Sequence, residues 1–281
     1  MDLFESFIQI DPYILLSISR RILSMSFMNK MLASVGIGAA TIDTILTKTR
    51  FIPGEDVTGT VQIAGGKAAQ PIDSVSIFLM TEYIRESDDK KYREHAAVAS
   101  HRVIDSLTIQ PGEIRKIPFS FRLPYDVPLS IGHTPVWLKT GADIKNAVDP
   151  SDKDYITVNP GPLVRRAMEA IEGLDFVLRH TSCEAASRFT GGRLPFIQEF
   201  EYVPTGMFRG KLDELEAVFL SDGSSLEIIL EIDKKAKGLF GMLEEAMDLD
   251  EKQVRLAFAE RELQDHSILS SKITAAIQRF V

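Results

Sequence analysis

From Ala39 to about Pro160 the chain repeats one pattern: a short run in which apolar residues alternate with polar ones, closed by residues that favour turns. Val57, Val61 and Ile63 share one face of a strand interrupted by Gly59. Val75, Ile77 and Leu79 alternate against Ser74 and Ser76, and Phe119, Phe121 and Leu123 against Ser120 and Arg122. Pro53-Gly54, Gly65-Gly66, Pro111-Gly112, Pro124 and Pro128 punctuate the runs. Successive side chains of a strand point to opposite faces, so each run buries one face and wets the other. The pattern predicts a meander of antiparallel strands folded as a β-sandwich, with helical periodicity nearly absent.

Asn159-Pro160-Gly161-Pro162 then breaks the chain, because two prolines and a glycine cannot continue a central strand. The spacing of Leu163, Ala167, Ala170 and Ile171 predicts a short helix that links two domains or packs between them. Strands resume after it: Leu226, Ile228, Leu230 and Ile232 alternate cleanly, and Phe196, Gln198, Phe200 and Tyr202 more loosely. Asp222-Gly223 signals a tight hairpin. Leu239 to Met247 reads as a short helix, and Val254, Leu256 and Phe258 as a late strand. At 281 residues the chain is long for one sandwich of about 100 residues and comfortable for two. The expected fold class is therefore mainly β: two tandem immunoglobulin-like sandwiches with a few short helices and a C-terminal amphipathic helix. The expected boundaries are an extension over 1–24, sandwiches over 25–160 and 161–262, and the helix over 263–281.

Net charge is −8, spread along the chain, which repels nucleic-acid phosphates and anionic lipid headgroups and excludes nucleic acid as an expected partner. One cysteine, Cys183, allows no internal disulfide and no thiolate metal cluster, pointing to a reducing, cytoplasmic setting. The apolar stretch Pro12 to Ser19 is far shorter than the roughly 20 residues of a spanning helix. Asp2 and Glu5 stand where a signal peptide is positive. Residues 1–24 are read either as an extension upstream of a start at Met25 or as a short amphipathic helix resting on a surface.

Catalytic chemistry needs convergent polar groups, and the sequence announces none. The histidines His95, His101, His133, His180 and His266 lack metal-motif spacing. His95 and His101 fall in a stretch read as loop entering a strand. Gly36 and Gly38 lack the third glycine of a dinucleotide loop, since Thr41 stands there. Ser87 and Lys90 match a serine-lysine pattern only by letter, within a charged loop from Glu86 to Glu94. Asp149, Asp152 and Asp154 form the one candidate for a hard cation, set against a turn whose aspartates bind backbone amides. No cofactor is expected, and no residue carries a catalytic role.

Two features point to contacts instead. A strand bearing Arg209, Lys211, Asp213, Glu214 and Glu216 has charge on both faces, and either faces an interdomain groove or forms a charge-protected edge. In the first reading Arg209 or Lys211 lies near Asp149 or Asp152. At the C-terminus, Leu269, Ile273, Ile277 and Phe280 form an apolar stripe on a helix, with Ala276 beside them. That stripe must dock, either on its own chain or on a neighbouring copy as an oligomer contact.

The blocks Met31-Leu-Ala-Ser-Val-Gly-Ile-Gly, Ile52-Pro-Gly-Glu, Val57-Thr-Gly and Ala147-Val-Asp-Pro-Ser-Asp-Lys-Asp-Tyr-Ile resemble the bacterial sporulation-control family of the stage-zero M type. Phe208-Arg-Gly-Lys-Leu-Asp-Glu-Leu-Glu and Leu230-Glu-Ile-Asp-Lys-Lys-Ala-Lys-Gly-Leu extend the resemblance from Met25 to about the C-terminus. It implies an arrestin-like pair of sandwiches in a non-enzymatic scaffold that acts on sporulation or stress physiology through other proteins. The alternative is a small-molecule or metal-binding regulator using the interdomain groove.

Overall fold

In a computed structural model of the protein, residues 39–88, 90–144, 149–186, 193–234 and 252–281 are described. The extension over 1–24 and the helix expected over Leu239 to Met247 lie outside them. The chain is mainly β with a few short helices.

Residues up to Val158 supply β1 (Thr41–Leu46), β2 (Arg50–Phe51), β3 (Asp56–Ala64), β4 (Gln70–Ser87), β5 (Lys90–Ile104), β6 (Leu107–Ile109), β7 (Ile114–Arg122), β8 (Val136–Ile144) and β9 (Ser151–Val158). β1, β3 and β7 form a three-stranded sheet. β5 and β6 pair with β4, which continues through β8 and β9 to β2. The two sheets meet where β1 packs on β8 and β9, and β5 on β7. Val57, Val61, Ile63, Val75, Ile77, Leu79 and Leu123 are buried between them, the faces that alternation assigns to the interior. Gly54 and Gly112 take φ of +85° and +70°, backbone that side-chain-bearing residues avoid, and close the turns before β3 and β7.

The loop expected from Glu86 to Glu94, and the stretch with His95 and His101 read as loop entering a strand, belong instead to a long hairpin. β4 and β5 pair from Val75↔Ile104 to Ser87↔Lys90, turning at Asp88 with φ of +53°. Charge density disguised the strands, yet the charges are partners across the ladder. Arg93 binds Glu82 at 2.7 Å, and Glu94 accepts from Arg85 and from the Tyr83 hydroxyl, both at 2.6 Å.

Beyond Pro160, Gly161 caps helix α1 (Pro162–Glu172), whose first position is proline, where a missing N–H costs nothing. Leu163, Ala167, Met168, Ala170 and Ile171 are its buried face. The strands β10 (Phe176–Ala185), β11 (Phe196–Pro204), β12 (Leu212–Ser221), β13 (Ser225–Lys234) and β14 (Lys252–Ala259) follow in an antiparallel sheet. Leu226, Ile228, Leu230 and Ile232 are buried along β13. Gly223, at φ +91°, turns the chain between β12 and β13, and the Asp222 carboxylate accepts from the Ser224 and Ser225 amides. Those bonds hold the Asp222 carboxyl down to about 2.

Two further helices close the chain: α2 (Glu260–Leu263) and α3 (His266–Gln278). The terminal helix begins later than 263 because the Asp265 side chain caps it, accepting from the Ser267 and Ile268 amides. α1 and α3 pack on one another, α1 on β10, β12 and β13, and α3 on β14. Among the described residues, then, the layer that faces the second half's sheet is helical. One rung joins the halves into an eleven-stranded sheet. β8 pairs with β4 only as far as Thr81↔Val136, and beyond it β10 takes the vacated edge through Glu184↔Ile84.

Candidate functional site

The loop from Leu123 to Pro135 leaves the first half's core and lies against the second half. Gln198, a polar residue on the otherwise apolar inward row of β11, grips it at Leu129: its Oε1 accepts from the Leu129 amide at 2.7 Å and its Nε2 donates to the Leu129 carbonyl at 2.8 Å. Arg193 donates from Nε and Nη2 to the two carboxylate oxygens of Asp126, at 3.0 and 2.7 Å, and from Nη1 to the Val98 carbonyl at 2.6 Å. The Thr181 hydroxyl donates to the Ile131 carbonyl at 2.8 Å. Bidentate guanidinium and amide contacts fix orientation as well as distance, so this strap sets how the halves face each other.

Between them lies a cleft of about 300 Å³. Its lining includes Pro53 and the strap, Leu163 and Val164 of α1, and Phe196, Phe219 and Leu220. Tyr125 lines it too. A Cβ at Gly54 would stand 2.7 Å from the Tyr125 hydroxyl, and one at Gly223 would clash with the same ring more closely still. Glycine is therefore required at both turns for the ring to seat between them. The lining is dominantly apolar, and Arg193 and Gln198 spend their hydrogen bonds on the strap, so the cleft offers shape and apolar surface.

The aspartates expected near a cation or a groove lie elsewhere. Asp149 accepts from the Ile144 amide at 2.9 Å, and Asp152 from the Thr44 and Lys153 amides at 2.7 and 2.8 Å. Burial pushes the Asp154 carboxyl up to about 6, reinforced by the charge of Asp152, a hydrogen bond with it, and Asp43. Among the described residues no group of three or more histidine, cysteine, aspartate or glutamate side chains is arranged to hold a metal ion.

The charged strand differs from both expected placements. β12 is neither an edge nor a wall beside Asp149 and Asp152: it pairs on both sides, with β11 and β13, and β11, β10, β4 and β8 separate it from β9. It tolerates charge because Leu212, Leu215 and Ala217 are buried while Glu214 and Glu216 face outward. Glu214 and Glu201 both bind Arg179 of β10. Arg209 and Lys211 precede β12 as exposed residues, and Asp213 sits at a register shift. In α3, Leu269, Ile273 and Ile277 are buried, and Phe280, expected on the helix but lying just past its end, packs half-buried within the same chain.

Cys183 is buried, and burial, followed by the charge of Glu184, pushes its thiol up to about 12, leaving it protonated at neutral pH. Tyr125, Asp126, Arg193 and Gln198 were missed by sequence reasoning. Gln198 alone carried a signal, as a polar side chain in a core register.

The SpoOM protein family model matches residues 28–236. The sporulation-control protein spo0M of Bacillus subtilis strain 168 is 46% identical over 257 residues, spanning 91% of this chain and 99% of that protein. The crystal structure of Spo0M from Bacillus subtilis superposes with a TM-score of 0.79 at 44% identity, covering 87% of this chain and all of the other. With most of its length matched in both sequence and fold, the chain belongs to the SpoOM protein family.

Proposed function

We propose that the chain is a non-catalytic, cytoplasmic regulator of sporulation that acts as an arrestin-like adaptor, recruiting other proteins through the cleft between its halves. The sporulation-control role of its Bacillus relative supports the first part. The observation that carries the second is the cleft itself, whose lining is dominantly apolar and whose Asp126, Arg193 and Gln198 are already committed to the strap. Such a surface recognises an apolar side chain or short segment by fit, without reacting with it. This reading takes Pro160 as the boundary between a unit over 25–160 and one over 161–262, with 263–281 anchoring the second.

Complementation tests it. In Bacillus subtilis lacking its own sporulation-control protein, this chain is expected to restore normal sporulation frequency. Leu220→Arg, which puts a charge into the cleft from a residue 36% exposed, should fold normally yet fail to restore it. Full rescue by Leu220→Arg would remove the cleft from the account. Because 300 Å³ also suits a small molecule, native mass spectrometry of the purified chain decides between a protein segment and a retained ligand.

A further inference from the structure

The outer face of the first half's sheet gathers positive charge in a chain whose net charge is −8. The ladders set Arg50 opposite Thr157, Trp137 opposite Tyr155, Lys139 opposite both Lys153 and Phe78, and Arg102 opposite Ser76. Directly opposed residues share a face, so these side chains form one surface, while Phe51, Ile156, Leu138 and Ile77 turn inward to the core. Lys139 and Lys153 are exposed, as are Tyr155 at 60% and Phe78 at 36%. The Lys153 ammonium lies 4.2 Å from the Trp137 ring centre and 4.6 Å from that of Tyr155, a cation held over two rings.

Two like charges directly opposed across a ladder destabilise a sheet. Among the described residues neither Lys139 nor Lys153 makes an ion pair. The acids on this face are Glu82, bound to Arg93 at 2.7 Å, Glu86, set opposite Lys91, and Asp143, set opposite Ser74. The two lysines are thus arranged for anions from outside the molecule. β4 and β8 are paired on both sides, so an extended peptide could join only at the outer edge of β5 or of β9 and would not cover the breadth of the patch. The positive charges spread over several strands in two dimensions, around the exposed rings of Tyr155 and Phe78, with Trp137 itself buried among them. That combination suits the headgroup level of a bilayer, where aromatic rings are stable and each lysine or arginine is drawn to anionic lipid.

We propose that this face of β2, β9, β8, β4 and β5 docks the protein peripherally on an anionic lipid bilayer. The full-length chain should float with vesicles containing phosphatidylglycerol and not with phosphatidylcholine vesicles, and binding should fall as salt rises toward 0.5 M, where screening shortens to a few ångströms (about 4 Å). Lys139→Glu/Lys153→Glu should weaken binding at least about tenfold, since each cation near such a surface contributes severalfold. Lys139→Arg/Lys153→Arg should keep it, and circular dichroism with thermal melting checks that both variants fold. Equal binding to the two vesicle types, or unchanged binding by the folded glutamate variant, overturns the proposal. So does capture of soluble polyglutamate, lost in the same variant, with no vesicle binding, because the surface then serves an acidic protein. Full sporulation rescue by Leu220→Arg, the result that sinks the cleft reading, leaves these outcomes untouched, so the two ideas fall separately.

Discussion

The two halves present opposite charges on the same side of one sheet. In the first half that side carries Lys139, Lys153, Arg50 and Arg102 around exposed rings. In the second, the registers Glu201↔Glu216 and Glu216↔Glu231 line up carboxylates across three strands, with Glu199 one step along β11. The Glu184↔Ile84 rung shows that both belong to one surface. The inner layers differ too: strands β1, β3 and β7 cover the first half, and helices α1 and α3 the second. One sheet thus supports two chemistries, because what covers the inside is independent of what decorates the outside.

The sharpest way to separate the halves is to damage one core. Ile273→Ala removes a fully buried side chain of α3 and should cost about 2–5 kcal/mol. Hydrogen exchange should then rise across β10–β14 while β3 and β7 stay protected; uniform loss of protection would show that the halves unfold as one. Breaking the strap comes next. Gln198→Ala leaves the Leu129 amide and carbonyl without their partner and should cost about 1–3 kcal/mol, with a wider spacing of the halves in small-angle scattering.

The acidic surface has a pH signature. Burial, then the charges of Glu184 and Glu231, raise the Glu199 carboxyl to about 7. A carboxyl raised above its unfolded value favours the folded state fully at low pH, and that contribution drains away as pH climbs through about 7. Glu199→Gln should therefore stabilise the protein at pH 8, by about 1–2 kcal/mol after allowance for partial exposure, and confer no such gain at pH 4. Melting curves at the two pH values read it directly. The smallest effect belongs to the basic face. Lys139→Ser relieves the opposed lysines and should raise stability by about 0.2–1 kcal/mol in denaturant titration, while weakening vesicle binding.

Alternation made the strands legible: Val57 to Ile63, Val75 to Leu79 and Leu226 to Ile232 could be assigned to faces before any coordinates. The helices α1 and α3 were legible in the same way, but periodicity names a buried face and not what buries it, so their packing on one another was not. The far end of the β4–β5 hairpin was hidden because its stabilising residues are charged, and ion pairing across strands leaves no apolar trace. The cleft was invisible for a different reason. Pro53, Tyr125, Val164 and Phe219 are distant in sequence, and only the fold makes them neighbours. The charged strand misled because charge on both faces resembles an edge, whereas β12 hides Leu215 and Ala217 between its glutamates.

The lone rung between β4 and β10 also has a mechanical meaning. A ladder resists shear by loading many bonds at once, and a seam with a single paired position yields first when its sides are pulled apart. Tension applied across the molecule would concentrate there and on the strap, opening the cleft like a book along its spine while each cover stayed stiff.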